Sequence, residues 1–164
     1  MPDTPDRTLA ELLRGTIDLA DDTLRVALYS TATAYTFDSA AHEFVSDVLD
    51  GGTTAQELQG TAGYTGASDR QTLANTTVTE DNTDSEAAFD GDNVTWSGVE
   101  SAEEIQGWIL YKQVGGDDST PGDDPIILVA DDGMADVSDL PLPTNGSDIE
   151  LSPDPEGIIN QVVQ

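Results

Sequence analysis

The 164-residue chain has no cysteine, one lysine (Lys112) and one histidine (His42). Without thiols it has neither a disulfide frame nor a thiolate metal site. Basic residues number five against thirty-three acidic ones, a formal charge of −28. Phosphate contacts need Lys or Arg, so this balance argues against nucleic acid and against anionic membrane surfaces as partners. Aromatic residues make up 5% of the chain, and Trp96 and Trp108 are the only tryptophans. There is no run of about 18 apolar residues to span a bilayer, and no basic n-region followed by an apolar h-region. The expectation is a protein that begins at or near Met1 and is made in soluble form in the cell that makes it, wherever it ends up.

What is present is a patterned chain. Hydrophobic residues account for 37% of it and cluster in strand-length runs, which argues against disorder despite the charge. Asp outnumbers Glu by 23 to 10. Carboxylates spread along a foldable chain fit a protein that works in concentrated brine, where the Debye length falls to about 3 Å and like charges stop repelling. A halophilic source is the expectation, with a fold that weakens as salt is withdrawn.

Residues 1–7 read as a flexible lead-in, and residues 8–164 as one β-rich domain. Leu9, Leu12 and Leu13 at helical spacing predict a short helix over Thr8–Arg14, stopped by Gly15. Leu24 to Tyr29 alternates and predicts a strand. Ala41, Phe44, Val45, Val48 and Leu49 predict a helix or helical turn within Asp38–Leu49, ended by Gly51-Gly52. Further strands are expected at Gln56–Gln59, Thr72–Thr79, Glu86–Phe89, Val94–Ser97 and Ile126–Val129. Acidic turns around Asp81-Asn82 and Asp90–Asn93 join the middle three.

Ile105 to Tyr111 is the expected central strand. Ile105, Gly107, Ile109 and Tyr111 should point one way and Gln106, Trp108 and Leu110 the other, so neither face suits open water. Residues 115–125 predict an exposed acidic loop. Beyond it, residues 136–164 form a polar, proline-containing C-terminal part with edge-strand candidates at Val137–Pro143, Asp148–Leu151 and Ile158–Val163. About seven to nine short strands with one or two short helices predict a mainly β fold, an antiparallel β-sandwich or barrel.

Residues that would announce an enzyme are scarce. His42 has Ser30, Ser39, Asp38 and Asp47 in range for a triad, but no Gly-x-Ser-x-Gly elbow accompanies them, and a structural histidine is the simpler reading. The Gly60–Gly66 loop lacks the Lys and helix of a phosphate cradle. Acidic pairs such as Asp131-Asp132 have no aromatic cleft to serve glycoside hydrolysis. Hard-cation ligands are the remaining chemistry: Asp90, Asp92, Asp117, Asp118, Asp123 and Asp124 carry oxygens of the right type, without the EF-hand spacing. No catalytic residue and no cofactor is expected, only non-specific or structural cations.

Four segments in order carry a resemblance. They are Leu13–Leu19 running through Asp22–Leu28; His42–Val48 leading to Gly60–Thr65; Leu73–Thr79 continuing to Ala88–Ser97; and Trp108–Tyr111 followed by Asp124–Ile127. Over about residues 13–130 the chain resembles a family of small β-rich structural proteins of tailed-virus particles. It departs from that pattern in the acidic loop after Lys112 and in the tail from Asp136.

The resemblance implies a virion component, made in the host cytoplasm, whose partners are other virion proteins and copies of itself. With the acidic composition it implies a virus of a halophilic archaeon. A head-exterior decoration or turret protein is the first placement, then a tail or head-tail joining component, then a receptor-binding module. Outside viruses the rival is a secreted halophilic adhesin or glycan-binding domain. Ile158, Ile159, Val162 and Val163 are candidates for a subunit interface.

Overall fold

The computed structural model describes residues 3–32, 35–49, 56–81, 86–134, 139–154 and 157–162. Alternating and continuous apolar runs form antiparallel strands, as the sequence predicts: β1 (Leu24–Ser30), β2 (Gln56–Glu57), β3 (Gln71–Thr72), β4 (Thr77–Asp81), β5 (Glu86–Asp90), β6 (Val94–Val99), β7 (Ile105–Lys112), β8 (Ile126–Asp131), β9 (Ser147–Leu151) and β10 (Ile159–Val162). Two helices accompany them, α1 (Asp6–Arg14) and α2 (Val45–Leu49).

A five-stranded sheet runs β2-β1-β7-β8, with β3 also on the outer edge of β1. A three-stranded sheet, β10-β5-β4, and the β6-β9 pair form smaller sheets. Of the two architectures the sequence allows, the sheets are open and layered, and no barrel closes among the described residues.

One face of the large sheet packs against the small sheets through Leu24, Val26, Leu28 and Leu110, which meet Phe89, Val94, Trp96 and Val99. On the other face, Ala27, Tyr29, Ile109, Tyr111, Ile126 and Val129 pack under Val45 and Val48 of α2 and under Tyr35. Burial on both faces explains why β1, β7 and β8 read as nearly continuous apolar runs. Each fully buried aliphatic side chain contributes roughly 1.5–3 kcal/mol.

The central strand departs from strict alternation. Tyr29 pairs with Gly107 but Ser30 pairs with Ile105, so Gln106 is an extra residue in β7. Such a bulge flips the side-chain order beyond it. Ile105 therefore joins the core between the sheets, opposite to Ile109 and Tyr111, and Gln106 reaches the Tyr35 carbonyl. A second bulge, at Ile127, separates the Leu110–Leu128 and Tyr111–Ile126 pairs.

The outer edge of β8 is covered. Asp3 exchanges both backbone bonds with Val129, Glu43 accepts from the Ile126 amide, and the Thr8 hydroxyl donates to the Ile126 carbonyl. Asp3 and Asp6, inside the segment read from sequence as a lead-in, thus belong to a bridge and to α1, which starts two residues earlier than the periodicity places it. α1 ends in a left-handed Gly15 whose amide reaches Leu12.

Other boundaries moved as well. The helix expected within Asp38–Leu49 is confined to α2, because a turn at Asp38–His42 and a bridge from Phe44 to Pro125 take the first half. The expected strand Thr72–Thr79 is split into β3 and β4, with Asn75 at φ 52° between them. Leu142 makes a single bridge to Ile105, after a cis Leu140–Pro141 bond, rather than extending a strand. The Gly51-Gly52 stop, Asn82, Val137 and Val163 lie outside the described residues.

Candidate functional site

The six aspartates with cation-ligand chemistry do not converge. Asp90 closes β5 and accepts from the Gly91 amide at 2.8 Å. Asp92 accepts from Asn75 Nδ2 at 2.6 Å. Asp117 is exposed and accepts from the Ser119 amide, and the Ser119 side chain, then that amide, lowers its carboxyl below the ordinary value. Asp123 is exposed in the turn that its own amide closes on Thr120. Among the described residues, no group of three or more His, Asp or Glu could hold a metal ion.

Asp118 is instead the end of an internal ion-pair chain. It accepts from Tyr111 Oη at 2.7 Å, Gln113 Nε2 at 2.9 Å and Arg25 Nη1 at 2.7 Å. Arg25 also donates to the Arg70 carbonyl. The Arg70 side chain, 4% exposed, forms a fork onto Glu57 at 2.8 and 2.9 Å and touches Tyr111 Oη at 3.4 Å. Tyr64 Oη donates to Glu57 at 2.7 Å and accepts from the Leu28 amide, filling the gap on β1 between β2 and β3.

Burial opposes the charge on Arg70, yet Glu57 more than offsets it and the guanidinium is held firmly protonated. Burial, then Glu57, raises the Tyr64 hydroxyl; burial, then Asp118, raises Tyr111. Arg25 Nε is buried without a partner among the described residues, and the remaining contacts of this chain tie the acidic loop to the large sheet. That is a structural part.

Asp124 differs. It is fully buried, its Oδ1 accepts from the Val114 amide at 2.7 Å, and its Oδ2 has no partner. Burial raises its carboxyl, and Asp118 adds to the shift.

His42 meets Tyr35 Oη at 3.1 Å and the Asp38 amide at 3.0 Å, both through Nδ1. A ring nitrogen that accepts from an amide carries no proton, so the proton sits on Nε2. Ser30 is engaged with Gln56 and Ala32, and Asp47 caps the amides of Glu43 and Phe44. Neither becomes a triad partner.

Beside Tyr35 is a cavity of about 250 Å³, lined also by Asp3, Phe37, Asp131, Asp132 and Met134. Asp131 is pinned there by Tyr29 Oη at 2.8 Å, Gln106 Nε2 at 3.1 Å and the Gly133 amide at 2.9 Å. Burial, then Asp131, raises the neighbouring Asp132. The arrangement anchors the turn after β8.

The surface carries a second kind of feature. α1 buries Thr8 and packs Leu12 on the core, which turns Leu9 and Leu13 outward at 52% and 91% exposure. The leucine stripe that predicts the helix therefore faces solvent in part. Arg7 pairs with Glu11, Arg25 with Asp118, Arg70 with Glu57 and Lys112 with Asp22. Among the described residues, Arg14 is the basic side chain outside any such pair, and it adjoins Leu13.

An apolar cleft of about 170 Å³ lies where the small sheets meet β7, lined by Leu73, Val94, Trp108, Leu151 and Ile158. Exposed Asp92, Ser152 and Asp154 also line it. Sequence reasoning placed Trp108 in the core and missed the cleft, because the residues that build it come from five separate segments. Ile158 and Ile159, expected at an interface, pack in part against the core.

Comparison with family models, with curated proteins and with solved structures finds no match.

Proposed function

We propose that this chain is a structural component of a tailed virus particle, placed on the head exterior and working by assembly with copies of itself and other virion proteins. The observation that carries assembly is the exposed Leu9–Leu13 ridge on a chain of charge −28. An apolar pair beside an unpaired arginine is a contact surface in search of cover. The virion setting rests on the four-segment resemblance over about residues 13–130.

Two further features support the reading. Paired cations are turned inward to hold the fold, which leaves an exterior of carboxylates suited to brine, the setting of a virus of a halophilic archaeon. Both outer edges of the large sheet carry cover or short strands, as a scaffold packed in many copies needs to prevent uncontrolled strand pairing.

The test is a reconstruction of purified particles from the virus that encodes the chain. Density for this β-sandwich on the head surface supports the proposal. Its absence from particles, with the protein found free in infected cells, overturns it.

A further inference from the structure

The ridge and the cleft have matching chemistry. Leu13 stands 91% exposed with Arg14 next to it, and the cleft is apolar with Asp92 and Asp154 among its exposed lining residues. Its volume of about 170 Å³ compares with the roughly 150 Å³ of an apolar cavity that admits a benzene-sized group. One leucine side chain fits that space. Arg14 would then stand beside two carboxylates, a pairing it lacks among the described residues of its own chain.

We infer that the occupant of the Trp108 cleft is Leu13 of a second copy of this chain, with Arg14 of that copy set against Asp92 and Asp154. This rests on the assembly reading above and specifies its contact. Ridge and cleft are different patches, so the contact is head-to-tail: each copy offers one ridge and one cleft, and association continues into a ring or a filament. A second copy suits the cleft better than a lone small ligand because the apolar anchor and the cation arrive together, three bonds of backbone apart, on a rigid helix end.

The test uses two full-length variants that each spoil one half. L13D/R14E removes the ridge, and D92R/S152W blocks the cleft; all four positions are exposed, and circular dichroism checks that both variants fold. In sedimentation velocity, each variant alone should weaken association at least about tenfold, the loss expected for one desolvated anchor. Mixed in equal amounts they should form dimers and nothing larger, since one intact ridge meets one intact cleft. Wild-type multimers that both folded variants reproduce unchanged would overturn this contact while leaving assembly standing. A mixture that stays monomeric also overturns it. A wild-type protein that is monomeric throughout would overturn both.

Discussion

The Tyr29 hydroxyl lies directly over Gly107, where a Cβ would fall 2.2 Å from it and equally close to the Ala130 carbonyl. The hydroxyl cannot retreat, because its one proton is shared between Asp131 at 2.8 Å and Ala130 O at 3.0 Å. A glycine in the middle of a buried strand is thus required by the approach of a side chain from the neighbouring one. G107A should lower stability by about 3 kcal/mol. G122A, whose Cβ would meet only Ser46 Oγ at 3.6 Å, is the near-neutral control in the same denaturant titration.

The Arg70–Glu57 fork gives a second expectation. R70M leaves Glu57 buried with Tyr64 as its one remaining side-chain donor among the described residues and should cost about 3–5 kcal/mol. Removing both charges in R70M/E57L should recover part of that loss. Equal destabilisation by the single and double variants would mean that packing around Arg70, and not the stranded carboxylate, sets the cost.

Asp124 links stability to pH. Its folded value is raised, so above the ordinary carboxylate value of about 4 the unfolded chain releases this proton more readily than the folded one. Wild type therefore loses stability from that pH up to the raised value, and the loss stays constant beyond. D124N keeps the acceptor for the Val114 amide and lacks the ionisation. Its stability relative to wild type should climb as pH rises through the window; a difference flat with pH would exclude this role for Asp124.

Salt supplies a fourth. With thirty-three acidic residues against five basic ones, removing salt restores repulsion that a short Debye length suppresses. The melting temperature followed by circular dichroism should rise steadily from low salt to molar salt. An unchanged melt would sink the halophilic setting.

Much of the large sheet was legible because β1, β7 and β8 are apolar on both faces, a pattern that few other elements share. The bulges were not, since Gln106 and Ile127 carry no compositional mark of being extra residues. α1 was found from its leucines, yet their orientation depended on where Thr8 meets β8, a contact 118 residues away in sequence. The split between β3 and β4 turns on Asn75 taking a left-handed conformation, which asparagine tolerates but does not announce. The Asp-rich stretches look alike whether they ligate cations, cap turns or, as Asp118 does, hold arginines. In a chain with four arginines, asking where each must go was the available signal for the Glu57–Arg70–Asp118 network.

The proposal that stands above all others to be tested is assembly of this chain with copies of itself. Sedimentation equilibrium of the wild-type chain in molar salt, over a wide dilution series, tests it most directly. The weight-average mass should climb above the 17.3 kDa monomer with concentration. A mass fixed at the monomer value up to virion-like concentrations would contradict it.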